Sequence, residues 1–334
     1  MNTTFLSRRV TALAGAALLS AGLLAACGSS SDDASESGAF SFTDDLGETI
    51  ELDAAPERLV VQSSMAAALT DLGLGDKIVG VFGPVKNAEG EVDSQAKGLD
   101  VDAVEDVTDA AEYGNLELED LAELNPDLIV TSAYLDDDLW YINDDSAKKL
   151  DGLAPILVVS FDGKTLPELL DGTERAAEAL GADLDADTVT ASHDAFTAAA
   201  DRVKQASADL GDRTILAGSA AQDLFYVSNP KVSPDLSYWK DELGLPLTVP
   251  DNPDAGGYFE SLSWEKADKY PADIFLYDDR IGAAGLALFA KEKVFQTLAA
   301  AQDEAYVPWT SVAPPSYQAY ADLMDRLADD LAKY

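Results

Sequence analysis

The sequence is poor in the side chains on which most enzymes and metal sites depend. Its 334 residues include one cysteine and one histidine, and 22 Lys plus Arg stand against 62 Asp plus Glu. A single Cys excludes an intrachain disulfide and any CxxC or Cys/His zinc site. A single His excludes HExxH and most histidine-based catalysis. The formal charge of −40 and the pI near 4.1 exclude nucleic-acid binding, because a polyanion is repelled over the whole surface. Apolar residues are plentiful. At 47% hydrophobic and 8% aromatic the chain can bury a substantial core, so wholesale disorder is excluded. The length suits two domains or one large one. Binding fits this composition better than catalysis.

The N-terminus reads as an address. Arg8 and Arg9 precede a small-residue apolar stretch over 10–26, the length of a signal-peptide core and too short to span a bilayer. Leu23-Leu24-Ala25-Ala26-Cys27-Gly28 resembles the lipobox of bacterial lipoproteins, in which the Cys takes the lipid, and Cys27 is the only Cys. Residues 1–26 are therefore expected to be a signal peptide. Residues 27–39, rich in Ser, Asp and Gly, are expected to be a lipidated flexible tether. Ser7-Arg8-Arg9 hints at twin-arginine export as an alternative to the general route. Loss of the two leader arginines takes the charge to −42. More than one acyl chain on the Cys gives stable attachment.

Beyond the tether, short β-rich runs alternate with helical stretches. Strands are expected over 59–62, 78–82, 127–131, 155–160, 214–217 and 273–277, and helices over 66–72, 118–124, 238–243 and 317–332. This alternation predicts parallel sheets covered by helices. Between 187 and 210 the pattern is one long helix without Gly or Pro. Its 24 residues extend about 36 Å. An internal echo supports two related halves: aligned on Asp127 and Asp273, both halves place a Glu (Glu119, Glu265) eight residues earlier. The expected fold is α/β, with two Rossmann-like lobes built on parallel-sheet cores and joined by a single long α-helix. The lobes are set at 40–185 and 212–334, with the linker at 186–211.

Several runs carry a family resemblance. They are Gly47-Glu48-Thr49-Ile50-Glu51-Leu52 with Pro56-Glu57-Arg58-Leu59-Val60-Val61, the run 72–81, Asn115-Leu116 with 118–130, and Ser263-Trp264-Glu265 with Asp273-Ile274. In order and spacing the chain resembles the substrate-binding lipoproteins of ABC importers, in the helical-linker group that carries ferric siderophores, haem and cobalamin. The resemblance implies a monomeric receptor without enzymatic activity or resident cofactor, held on the outer face of the cell membrane by its lipid. It also implies an ABC permease dimer and its ATPase as partners, with Glu119 and Glu265 as the two negative pegs that dock on the permease.

The ligand cleft is expected where strand ends from both lobes face each other. Candidate contacts are Tyr113, Tyr134 and Trp140 in the first lobe and Tyr226, Trp239, Tyr258, Arg280 and Trp309 in the second. Aromatic planes with an OH or NH suit a bulky, partly apolar chelate. Arg280 can clamp an anion or pair locally with Asp278 or Asp279. With few cations in these loops and an acidic whole, a neutral or cationic ferric hydroxamate is favoured over a tris-catecholate.

Other motifs carry less. His193 falls in the linker helix and reads as a solvated residue, which argues against haem held by histidine, although haem or cobalamin remains the alternative ligand. Asp183, Asp185 and Asp187 lack the Gly and Glu of a calcium loop. The glycines of 73–80 follow a helix and precede a strand, the reverse of a phosphate cradle. An extracytoplasmic hydrolase finds no Gly-x-Ser-x-Gly to support it. A purely structural envelope lipoprotein leaves the aromatics at strand ends unexplained.

Overall fold

A computed structural model describes residues 39–334 except Asp151. Cys27, the leader and nearly all of the tether lie outside the described residues. The described chain begins with an antiparallel hairpin, β1 (Phe40–Thr43) and β2 (Thr49–Leu52). Asp44 shapes its turn by accepting from the N–H groups of Leu46 and Glu48 at 3.0 Å, and its other oxygen accepts from Val158 N.

The first lobe is a five-stranded sheet in the order β5-β4-β3-β6-β7, every pair parallel. Its strands are β3 (Leu59–Gln62), β4 (Ile78–Phe82), β5 (Glu105–Asp106), β6 (Leu128–Ala133) and β7 (Ile156–Ser160). β3 and β6 are buried along their whole length, as expected of strands covered on both faces. Helices α1 (Ser63–Asp71), α2 (Leu118–Glu123), α3 (Asp144–Leu150) and α4 (Leu166–Ala179) accompany them. A Thr165–Glu168 capping box and Pro167 in the first turn start α4.

α5 (Asp187–Asp209) then leads to the second lobe, whose sheet order is β10-β9-β8-β11-β12. Here β8 (Ile215–Ala220), β11 (Ile274–Asp278) and β12 (Tyr306–Trp309) form a parallel core. β9 (Leu224–Ser228) and β10 (Phe259–Ser263) extend it as antiparallel strands, because β8 and β9 are joined by a tight turn rather than a crossover helix. The helices are α6 (Pro234–Asp241), α7 (Gly282–Lys291), α8 (Ala299–Gln302) and α9 (Tyr317–Leu331).

The internal echo has a structural meaning. Asp127, just before β6, accepts from Arg58 N at 2.9 Å, and Asp273, just before β11, accepts from Thr214 N at 2.7 Å. In each lobe an Asp thus pins the start of the neighbouring strand. The second half of the echo departs in one respect, since Trp264–Lys266 is a single 3₁₀ turn where α2 stands in the first.

α5 is not a free-standing rod. Val189 near its start is buried in the first lobe's core, whereas Phe196, Ala199 and Val203 pack with Tyr320, Met324 and Leu327 of α9. Arg202 pairs with Asp325 at 2.5 Å and with Asp329, fastening α5 to α9 along its exposed side. Leu166 and Leu170 of α4 join the same apolar cluster, so the lobes share a seam of side chains.

A polar part of that seam carries a pH dependence. Asp71, at the end of α1, accepts from Ser316 Oγ at 2.5 Å and Gln318 Nε2 at 2.9 Å, beside Asp322 of α9. Nearby, Asp279 accepts from Ser94 Oγ at 3.2 Å and Thr310 Oγ1 at 2.5 Å, and Lys97 and Arg326 line the same small cavity. Burial pushes the Asp71 carboxyl up from 3.8 to about 6, with Ser316 opposing and Asp322 adding to the rise. The folded state then binds its proton more tightly than the unfolded chain does. Stability falls as pH rises from about 4 to 6 and stays low above that window. Asp71→Asn keeps an acceptor for Ser316 without the charge. It should raise the unfolding midpoint by about 2–4 °C at pH 8 and leave it unchanged at pH 4, read by scanning calorimetry; a lower midpoint at pH 8 contradicts this account.

Candidate functional site

Between the lobes opens a cleft of about 950 Å³, lined from both sides. In the first lobe the chain leaves β6 at Ala133, and the segment after Tyr134 folds back on the strand, with Trp140 N donating to Ser132 O at 2.8 Å. This return sets the Trp140 ring 4.4 Å from Tyr134, whose other side stacks on Phe161 at 4.1 Å, just past β7. Tyr113 stands edge-on to Trp140 at 6.2 Å and is 58% exposed at the rim. Its position depends on Gly114. That residue has φ +78°, and a Cβ there would lie 2.6 Å from Asn143 N.

The second lobe contributes Tyr258, Arg280 and Trp309. Tyr258 reaches across the cleft, its hydroxyl donating to the carbonyl of Tyr134. Burial raises that hydroxyl to about 12 and pushes the Tyr134 hydroxyl well above the ordinary value, so both stay neutral donors. Trp309, at the end of β12, donates from Nε1 to Asp235 at 2.7 Å. Burial pushes the Asp235 carboxyl up, opposed by the bonds from Ser233 Oγ and Trp309. Arg280 follows β11 and closes on Asp278, Nε to Oδ1 at 3.0 Å and Nη2 to Oδ2 at 2.7 Å. Asp278 is itself buried, so the guanidinium in the cleft is already neutralised.

Six of the eight expected contacts therefore line one cavity: Tyr113, Tyr134, Trp140, Tyr258, Arg280 and Trp309. The other two do not. Trp239 points into the second lobe's core and is 3% exposed, because it lies three residues after Leu236 on the buried face of α6. Tyr226 lies within β9, not in a loop. Phe225 and Val227 face the core, so the two-residue period puts Tyr226 on the opposite face, against Phe259 at 5.8 Å. Glu119 and Glu265 are exposed and outside the cleft lining. His193 bonds Glu174 at 2.6 Å and stacks on Tyr317, also outside it. Asp183 accepts from Asp185 N in the turn before α5.

Sequence reasoning missed Ser228 and Asp235 as lining residues. Ser233-Pro234 is a helix-start signal that could have placed Asp235 in a first turn.

The arrangement offers aromatic faces and neutral donors, which suits holding a molecule. Residues 60–309 match the periplasmic binding protein family. This chain is a member of that family. Periplasmic binding proteins bind solutes and are not enzymes. The ferric-siderophore receptor protein DesE of Streptomyces coelicolor is 38% identical, with 87% of this chain and 97% of DesE covered and a TM-score of 0.79. The petrobactin-binding protein YclQ of Bacillus subtilis (20% identity, 89% and 99% covered, TM-score 0.66) shares the fold. So does FhuD2 of Staphylococcus aureus, solved with bound ferrioxamine B (17% identity, 83% and 98% covered, TM-score 0.57). No curated protein matches. No helix of the described residues is long and apolar enough to cross a membrane.

Proposed function

We propose that this periplasmic binding protein captures a ferric siderophore of the hydroxamate type between its lobes and delivers it to an ABC permease and its ATPase. The observation that carries the reading is the inter-lobe cleft, large enough for a compact chelate and walled by Tyr134, Trp140, Tyr258 and Trp309. Such walls offer stacking area and neutral donors to a rounded, partly apolar guest. The 38% identity to a ferric-siderophore receptor supports the same class of cargo. The hydroxamate preference follows from charge: Arg280 is held by Asp278, which leaves no uncompensated cation at its position for a trianionic tris-catecholate.

The reading includes attachment through Cys27 after loss of residues 1–26, with 27–39 as tether, and action as a monomer with lobes at 40–185 and 212–334 spanned by 186–211. Native mass spectrometry of the purified protein tests the cargo. Mixed with ferric hydroxamates, a ferric tris-catecholate, haem and cobalamin, the protein should retain the hydroxamates one to one. Retention of haem, cobalamin or the catecholate in their place overturns the assignment.

A further inference from the structure

The cleft carries two kinds of polar surface, and they ask for different things from a guest. Four groups on its walls have no hydrogen-bond partner among the described residues: Tyr134 Oη, Trp140 Nε1, Ser228 Oγ and Ser311 Oγ. Ser228 ends β9 and is only 2% exposed. All four can donate, and buried donors without partners mark the place of a missing acceptor.

The lip is anionic. Glu112, Asp137 and Asp138 come from two separate loops, line the same cavity and are exposed. Among the described residues none of the three makes an ion pair, and the cleft's two cations are already engaged, Arg280 by Asp278 and Lys148 by Asp145 at 3.4 Å. A guest with oxygens alone would satisfy the wall donors and leave this lip facing nothing.

Resting on the hydroxamate reading, we propose that the cleft selects ferric hydroxamates that carry a protonated amine. The buried donors take hydroxamate oxygens, and Glu112, Asp137 and Asp138 hold the ammonium arm at the mouth. The three carboxylates are specificity-determining residues. Because they are solvated, each contributes a modest attraction, and three together are worth about a tenfold preference in affinity. Their field also draws a cationic chelate toward the mouth at low salt.

Isothermal titration at low ionic strength compares ferrioxamine B, which ends in a primary amine, with its N-acetylated, neutral form. The wild-type protein should bind the amine form about tenfold tighter. E112Q/D137N/D138N should bind both forms alike, with the affinity for the neutral form unchanged. Glu51, Asp241 and Asp303 are exposed carboxylates outside the cleft lining, and E51Q/D241N/D303N should keep the preference while matching the change in total charge. Equal wild-type affinity for the two forms overturns the charge selection alone. So does a preference that survives in the lip variant or disappears in the remote one. Failure of the wild type to bind either form overturns the hydroxamate reading itself. None of the three lip side chains accepts a hydrogen bond among the described residues, and melting curves check that the variants fold.

Discussion

Trp140→Ala is expected to raise the dissociation constant for a ferric trihydroxamate about a hundredfold, measured by isothermal titration calorimetry. The indole is the middle of the first lobe's aromatic wall, 4.4 Å from Tyr134 and 6.2 Å from Tyr113. Its Nε1 is buried and unpartnered among the described residues, so a guest gains both a stacking face and a donor. Truncating a central aromatic anchor of this kind costs about 2–4 kcal/mol of binding, and a hundredfold corresponds to about 2.7 kcal/mol. Calorimetry is preferred to fluorescence because the substitution removes one of the two tryptophans that line the cleft, Trp140 and Trp309. Tyr226→Ala serves as the contrast. Tyr226 lies off the cleft, so its loss should change affinity less than about twofold if its neighbours stay in place. Near-normal affinity in Trp140→Ala, or a large loss in Tyr226→Ala, would mean that the guest sits elsewhere.

That pair of substitutions also marks where reading the sequence succeeded and stopped. Strand ends are legible because β6 and β7 are buried apolar runs with clear exits. The side chain just past β6, Tyr134, is placed at the cleft on that ground alone. Tyr226 and Trp239 needed more. Assigning Tyr226 to a face requires knowing that 224–228 is a strand, and that hairpin is set by pairing with β8 and β10 rather than by a strong local pattern. Assigning Trp239 to a face depends on where α6 begins. The helix begins at Pro234, four residues before the start expected from apolar spacing, and its extra turn brings in Leu236, three residues before Trp239 on the same buried face. The long helix was legible as a helix, since 187–209 has no Gly or Pro. Its packing was not, because nothing local says that Phe196 and Val203 meet α9 more than a hundred residues later. Ser228 and Ser311 were invisible for a simpler reason: a serine carries no sequence signal of being buried and unpaired.

The same packing bears on motion. Contacts that cross between the lobes include Tyr258 to the Tyr134 carbonyl, Ser316 and Gln318 to Asp71, Ser94 to Asp279, and Tyr317 to Asp171 at 2.7 Å. Together with α5 lying along α9, they tie the lobes behind and across the cleft. Ligand capture is therefore expected to shift the lobes slightly, without a wide hinge.

A small closure places the burden of delivery on the outer surface. There the double substitution Glu119→Arg/Glu265→Arg should abolish uptake of radiolabelled ferric hydroxamate by cells while leaving the dissociation constant of the purified protein within about twofold. Glu119 stands on α2 ahead of β6 and Glu265 on the 3₁₀ turn ahead of β11, so each precedes a strand flanked on both sides in its own sheet. Both are exposed and outside the cleft lining, which separates their loss from ligand binding. Hydrogen bonds from its own backbone N–H and from Ser263 hold the Glu265 carboxyl below its ordinary range, so it is ionised at neutral pH. Solvated charges at a docking rim act mainly on orientation and encounter rate. Reversing both signs converts attraction into repulsion on each half of a two-fold partner, and the effect on transport is much larger than removal of either charge alone. Single Glu→Gln variants should accordingly slow uptake only severalfold. Uptake that persists in the double reversal removes these two residues from docking, and loss of ligand affinity in the purified double variant assigns them to the lobes' own structure.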